Sequence, residues 1–477
     1  MGGLFWTFAE RMSAQLVSTV VGIVLARLLS PDDYGVISIV MVFIAFCNVF
    51  ATAGLGSAIV QKKEVDSTDY NTAFILSFII SAVLYGVLFL TAPWIAVLYE
   101  KPVLCSVIRV LGIRLVFTSV NTIQQAHVRR QMQFRRFFVS TIWGTLISCV
   151  VGIVMAYKGF GVWALVAQYM VNTITGTVVL HFVGGWKPQL QFSARKAKEI
   201  YSFSSKVIGS QLISTLENDI RSLIVGKVFG SADLAFYDQG KKYPALLVTN
   251  VNSSINRVML PFLSRKQDDL QELKKTLRRS VQLGVFIMAP LLLGLFSVAD
   301  TFVLVVLTEK WIEIIPFLKI FCIIYLTRPV EELCHQTVLA LGRSDIALII
   351  LAIINVVALI IVFVAVYAFE SVLYIAVFSL VSAFVSTGSF LFAANRLIGY
   401  SFGEQLADML PSLSIAALMG AAVSLMRLLP LSGIALLALQ AFAGAVVYVL
   451  LSAVFRIKSL TYIWDKFGSR LIKKLKK

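Results

Sequence analysis

The sequence predicts an all-α polytopic membrane protein of about fourteen transmembrane helices, built as two pseudo-symmetric six-helix lobes plus two C-terminal helices. Three observations predict it. Hydrophobic residues make up 58% of the 477 and charged residues 14%, with a mean hydropathy of +0.87, whereas soluble domains carry about 25% charged residues. The apolar residues fall into long runs, each close to the about 20 residues that cross a bilayer core about 30 Å thick. Finally, the segment from Ile23 to Asp33 aligns without a gap on Leu223 to Asp233, 200 residues further on. Both copies read as an apolar helix end, a base, two apolar residues, a turn and an acid. An even number of spans between the copies gives them the same orientation, so the lobes are parallel repeats.

The spans run near 4–29, 35–60, 71–98, 104–127, 137–157, 160–183, 200–229, 234–262, 281–307, 314–341, 346–368, 372–398, 408–428 and 433–455. Residues 1–190 form the first lobe, 191–400 the second, and 401–477 the two extra spans with a basic tail. The first span places Thr7, Arg11, Gln15 and Ser18 on one face, beside Glu10. The fourth carries Arg114, Thr118, Asn121 and Gln125 at helical spacing. Spans five and six are joined by a very short turn after Tyr157, and eleven and twelve by one after Phe369, so each pair is an antiparallel hairpin. The seventh aligns Lys206, Ser210, Ser214, Glu217 and Arg221, with Asp219 in the same helix and Glu217 four residues before Arg221, the spacing of an ion pair. In the eighth, Asp238, Lys242, Thr249, Ser253 and Asn256 share a side, with Lys241 and Asn252 at its edge. The tenth shows Arg328, Glu331, Glu332 and His335. The thirteenth span is uncharged between Asp408 and Arg427, and the fourteenth is wholly uncharged.

The net charge of +17 does not mark a nucleic-acid face, because the bases sit in alternate gaps between spans. Lys62 and Lys63 follow the second span, Arg129, Arg130, Arg135 and Arg136 the fourth, Lys187, Arg195, Lys196 and Lys198 the sixth, and Arg265 to Arg279 the eighth. The intervening gaps hold little beyond Lys101, Lys158, Lys310 and Arg427. By the positive-inside rule both termini are cytoplasmic. The tail from Arg456 anchors that topology or lies as an interfacial helix on anionic lipid.

An ionised side chain at mid-bilayer costs about 2.5–3.5 kcal/mol on insertion scales. Five spans in two lobes nevertheless carry charged stripes, which calls for a hydrated cavity of net positive sign. Its candidate substrate-binding bases are Arg11, Arg114, Arg221, Lys241, Lys242 and Arg328. Its candidate polar, ion-pairing or coupling residues are Glu10, Gln15, Asn121, Glu217, Asp219, Asp238, Asn252, Asn256, Glu331 and Glu332. Guanidinium and ammonium groups bind phosphate oxygens strongly in a low-dielectric site, so the expected substrate is anionic. The acids either hold the bases in place or bind a coupling cation, Na+ or H+; the sequence leaves both open. Arg27, Arg109 and Lys227, near span ends, read as anchors, and His335 as a packing residue.

Chemistry is expected to be absent. Gly240-Lys241-Lys242 lacks the upstream glycine and following Ser/Thr of a P-loop, and no HExxH, GxSxG or clustered Cys/His set occurs. The five cysteines lie in apolar stretches without CxxC spacing, so no cofactor, metal or disulfide framework is indicated. No outer gap is long enough for the catalytic loop of a polytopic glycan polymerase.

The segment Ala26-Arg27-Leu28-Leu29-Ser30-Pro31-Asp32-Asp33-Tyr34-Gly35, followed by Gly54-Leu55-Gly56-Ser57-Ala58-Ile59-Val60-Gln61, resembles the opening of bacterial polysaccharide flippases. Glu309-Lys310-Trp311, Ile315-Pro316-Phe317-Leu318 and Ala340-Leu341-Gly342-Arg343 are similar to the same family's second half. The closest branch is the Wzx-like one of the colanic and teichuronic acid exporters, within the multidrug/oligosaccharidyl-lipid/polysaccharide exporter superfamily. The resemblance implies a non-enzymatic flippase in the bacterial cytoplasmic membrane. Its partners would be undecaprenyl-pyrophosphate-linked oligosaccharide, membrane lipids and the polysaccharide polymerase machinery, and the carrier would work by alternating access. A cation-coupled multidrug exporter of the same superfamily is the alternative. Its organic-cation substrates call for an acidic pocket, against the basic excess here.

Overall fold

The structure, a computed structural model, describes residues 2–52, 54–264, 269–369 and 371–463; the side chains of 2–12 and of some positions within 206–218, 250–264 and 462–463 are not described. The described residues are mostly helical, with no strand among them. The chain divides into two units, Met1–Ala235 and Phe236–Lys477.

In the first unit the helices are α1 (Gly2–Leu28), α2 (Pro31–Thr52), α3 (Leu55–Gln61), α4 (Ser67–Leu98), α5 (Val103–Gly112), α6 (Arg114–Arg130), α7 (Phe134–Tyr157), α8 (Val162–Val183) and α9 (Ala194–Val228). Pro31 opens α2, where its missing N–H is no loss. Ser30 and Asp33 cap that helix reciprocally: the Asp33 N–H donates to Ser30 Oγ at 3.2 Å and the Ser30 N–H to Asp33 Oδ2 at 3.0 Å. Helix α9 packs along α2, α3 and α4, and α2 meets both the start of α10, at Ser231, and α9, at Ser204, closely enough to demand glycine. A Cβ on Gly35 would fall 1.7 Å from the carbonyl oxygen of Ser231, and one on Gly54 2.7 Å from Ser204 Cα. Gly54 also has a positive φ of 83° and separates α2 from α3, so the expected second span is a broken helix.

The expected fourth span is broken as well, at Ile113 between α5 and α6. The break frees backbone carbonyls inside the apolar layer, and the α4 hydroxyl of Tyr85 answers one, donating to Arg109 O at 3.2 Å. Arg109 itself lies against the Phe89 ring, its Cζ 4.3 Å from the centroid, as expected of an anchor.

The basic loops of this unit are tied by ion pairs. Lys62 meets Asp69 at 2.9 Å and Glu199 at 3.2 Å, and Lys196 meets Asp66 at 2.5 Å. The Lys196 ammonium, with the N–H of Asp69, holds the Asp66 carboxyl down at a pKa of about 2. Trp186, packed on Tyr70 and Phe74, completes this end over a core of Leu55, Ile59 and Ile123.

The second unit holds most of α10 (Ser231–Ser264), then α11 (Leu270–Phe302, prolonged by a π-helical turn Val303–Leu307), α12 (Ile314–Ala340), α13 (Ser344–Ala368), α14 (Val372–Ile398), α15 (Phe402–Leu425), α16 (Gly433–Val454) and α17 (Lys458–Ile463). Its core runs through Leu277, Val281, Val285, Leu333, Phe390 and Met419. Helices α15 and α16, which correspond to the two extra spans expected, lie on α11. Asp408, 3% exposed, fixes α15 there. It accepts from Arg278 Nε at 2.7 Å, Arg278 Nη2 at 3.0 Å, Gln282 Nε2 at 2.6 Å and the Tyr400 hydroxyl at 3.0 Å. The outward faces of α13 and α16 expose Leu348, Ile353, Phe363, Phe442 and Val449, a surface suited to hydrocarbon.

Ten segments among the described residues are long and apolar enough to cross a membrane. The other long helices, α1, α9, α10 and α12, include those whose charged stripes lower their hydropathy. The two halves also share helix boundaries. α6 ends at Arg130 and α12 at Ala340, α7 begins at Phe134 and α13 at Ser344, and α8 begins at Val162 and α14 at Val372; each pair lies 210 residues apart.

Candidate functional site

The polar stripe read on the fourth span faces its neighbours α7 and α8. A cavity of about 250 Å³ opens there, lined by Arg114, Thr118, Asn121 and Gln125 of α6, with Phe137 and Ser140 of α7 and Asn172 and Thr173 of α8 among the facing residues. Spacings of three and four residues put the α6 members on one face. The side chains are joined into a ladder. Arg129 Nη2 donates to Gln125 Oε1 at 3.0 Å, Gln125 Nε2 donates to Asn121 Oδ1, and Asn121 Nδ2 donates to Thr177 Oγ1 at 3.2 Å. Arg129 is exposed at the end of α6. Arg114 lies fifteen residues earlier, about 22 Å along the axis at 1.5 Å per residue. The ladder therefore leads from a basic loop into the apolar layer.

Arg114 closes the inner end. Its Nε donates to Thr173 Oγ1 at 2.7 Å, its Nη1 reaches Met41 Sδ at 3.8 Å, and the guanidinium sits 5.5 Å from the Tyr169 ring centroid. Among the described residues no carboxylate pairs with it. A guanidinium in this setting, with hydrogen-bonding edge to spare, attracts an anion strongly because little water screens it. The rest of the lining supplies uncharged amides and hydroxyls, donors and acceptors matched to a polyhydroxylated ligand.

The second unit repeats the geometry with different chemistry. At the 210-residue offset Asn121 corresponds to Glu331 and Thr177 to Thr387, and the pairing recurs: Thr387 Oγ1 donates to Glu331 Oε2 at 3.4 Å. Glu331 is buried at 8% exposure and also accepts from Arg328 Nη1 at 3.1 Å and Ser386 Oγ at 2.8 Å. Here the base is paired, so Arg328 offers an incoming anion less than Arg114 does. Glu332 accepts from Gln336 at 2.8 Å, and His335 packs 5.1 Å from the Phe390 centroid.

The remaining candidates fall into four groups. Gln15 donates to Thr19 within α1 at 3.4 Å. Asp219 and Arg221 on α9, and Asp238 and Lys241 on α10, are partly buried and none is without a partner, whereas Lys242 is exposed. The Asn252 side-chain oxygen is buried without a hydrogen-bond partner. The side chains of Glu10, Arg11, Glu217 and Asn256 lie outside the described residues, and the expected Glu217–Arg221 pair with them. The structure thus brings Arg114 and Asn121 into one pocket and pairs Arg328 with Glu331.

Sequence reasoning missed the facing side of the pocket: Phe137, Ser140 and Thr141 on α7, Asn172 and Thr173 on α8. Their signal was present as Ser140, Gly144 and Ser148, and as Asn172, Thr173, Gly176 and Thr177, polar or small residues at helical spacing within apolar spans. The Ser386–Thr387 pair on α14 was missed for the same reason.

Residues 24–316 match the profile of the polysaccharide biosynthesis protein family, which covers more than half of the chain. The chain belongs to that family. Among curated relatives this family member is 22% identical over 351 residues to the teichuronic acid biosynthesis protein TuaB of Bacillus subtilis, a match spanning 73% of this chain and 72% of that one. It is 24% identical to the lipopolysaccharide biosynthesis protein WzxC of Escherichia coli over 68% of this chain and 66% of the relative, and 23% identical to the succinoglycan transport protein ExoT of Rhizobium meliloti over 63% and 61%. Among solved structures its fold is similar to the lipid II flippase MurJ in an inward closed conformation, with a TM-score of 0.78 at 12% identity, covering 95% of this chain and 98% of the other. An inward-facing multidrug transporter of the MATE family follows at 0.64 and 14% identity, covering 81% and 96%. The polysaccharide biosynthesis family member therefore has the MurJ/MATE-type helical fold.

Proposed function

We propose that this protein flips lipid-linked oligosaccharide units across the bacterial cytoplasmic membrane by alternating access, without a chemical step, for assembly of a cell-surface polysaccharide. The observation that carries the reading is Arg114, a base set in an apolar span, paired with no carboxylate among the described residues and surrounded by amides and hydroxyls. An anionic, polyhydroxylated head group satisfies both halves of that environment at once. An organic cation satisfies neither. The names of the curated relatives, all from polysaccharide pathways, support the same substrate class. On the far side the glycan passes to the polymerising machinery.

A strain lacking this protein is expected to lose surface polysaccharide while lipid-linked repeat units accumulate in its lipid extract, measured by mass spectrometry, and the wild-type gene restores both. Normal surface glycan in that strain would overturn the reading. The orientation, with both termini cytoplasmic, is tested separately. Leu190, 93% exposed in the loop before α9, is replaced by Cys in a cysteine-free background, as is Lys158 in the α7–α8 turn. An impermeant thiol reagent is expected to label Lys158→Cys in intact cells and Leu190→Cys only after permeabilisation; the reverse pattern inverts the topology.

A further inference from the structure

A second cavity, of about 530 Å³, opens between α13 and α14, and its walls are apolar: Ile346, Ile350, Val385, Phe392 and Leu397. Its volume falls within the roughly 300–1,000 Å³ of small-molecule sites. Small residues cut it into α14. A Cβ built on Gly388 would meet nothing within 4 Å. At one end, in the last turn of α14, stands Arg396.

Arg396 differs from the other bases of this unit near the same loops. Arg343 is paired with Asp345 at 2.9 Å, Lys274 with Glu404 at 2.7 Å, and Arg278 with Asp408 at 2.7 Å. Arg396 is exposed and lies against Phe392 of its own helix, 5.4 Å from guanidinium carbon to ring centroid; no carboxylate pairs with it among the described residues. The groove thus has an apolar body and one unneutralised positive charge at its mouth. That combination complements an amphiphile with one negative charge and a flexible hydrocarbon chain.

We propose that this groove binds one anionic glycerophospholipid, with its phosphodiester on Arg396 and one acyl chain along Ile350, Val385 and Phe392. A phosphodiester carries a single charge, which one guanidinium balances. A polyprenyl diphosphate carries more, and the groove offers it no second base. The proposal requires that α13 and α14 span the bilayer and is independent of what the protein transports.

The test is native mass spectrometry of the full-length protein in mild detergent, titrated with phosphatidylglycerol or with phosphatidylcholine of the same chains. The wild type is expected to retain one phosphatidylglycerol with roughly fivefold preference, the worth of one base at a membrane surface. Arg396→Gln is expected to remove the preference. Gly388→Leu, whose Cβ would meet nothing within 4 Å, is expected to remove the retained lipid while Arg396 stays. Unchanged preference in Arg396→Gln, or unchanged retention in Gly388→Leu, would overturn the proposal. Displacement of phosphatidylglycerol by equimolar undecaprenyl phosphate would also overturn it, assigning the groove to polyprenyl lipids.

Discussion

Replacing Arg114 with Gln is expected to lower glycan export about 30-fold or more while the protein inserts and accumulates at its normal level. Truncating one partner of a desolvated charge pair costs about 2–5 kcal/mol, and the lower end of that range is already about 30-fold. The protein level should hold because no carboxylate among the described residues pairs with Arg114; the substitution removes chiefly its hydrogen bond to Thr173. A base without a counter-charge is a cost to the empty protein, so its removal does not weaken the fold. Arg114→Lys should retain more export than Arg114→Gln, since charge survives although the planar fork does not. The measurement is surface polysaccharide per unit of membrane-inserted protein. Full export by a stable Arg114→Gln variant would remove Arg114 from the transport path.

Replacing Asp408 with Ala is expected to act in the opposite way, by loss of protein. Four donors converge on its carboxylate, from Arg278, Gln282 and the fully buried Tyr400. Breaking a buried ion pair from one side costs about 3–5 kcal/mol, because the partner stays buried and unneutralised. Arg278 is about one-third exposed and keeps a bond to Glu404 at 2.9 Å, which places the loss toward the lower end of that range. Purified Asp408→Ala should melt several degrees lower in detergent and accumulate poorly in cells. Asp408→Asn, which still accepts from two donors, should fall between. Adding Arg278→Met to Asp408→Leu should recover part of the loss, since the guanidinium that has lost its main partner is then gone. An unchanged melting temperature for Asp408→Ala would show that α15 does not depend on this cluster.

These two residues mark what was legible. The stripe Arg114, Thr118, Asn121 and Gln125 follows from helical periodicity within one segment, so its common face could be read directly. What stands opposite it could not, because which helices become neighbours is decided by packing between spans distant in sequence. Thr173 meets Arg114 across 59 residues, and Ser386 meets Glu331 across 55. The sequence left open whether Glu331 holds a base or a cation; the structure gives it Arg328 and two hydroxyls. Asp408 read only as the boundary of an uncharged span. Its partners Arg278 and Gln282 lie more than 120 residues earlier, and nothing local connects them.

By itself the sequence determined the helical class, the apolar runs and the alternation of basic gaps, because each depends on composition or on short-range periodicity. The tertiary structure decided where the helices break and which charges are compensated. Gly54 interrupts the second span where α9 lies too near for a side chain, and Ile113 interrupts the fourth where Tyr85 takes up a freed carbonyl. In an apolar layer water cannot satisfy a polar group, so its energy is set by whichever neighbour the fold brings to it. Arg114, Glu331 and Asp408 are all ionisable residues on apolar helices in sequence. Only packing makes the first a base held by a hydroxyl and an aromatic ring with no carboxylate among the described residues, the second a paired carboxylate and the third a structural hub.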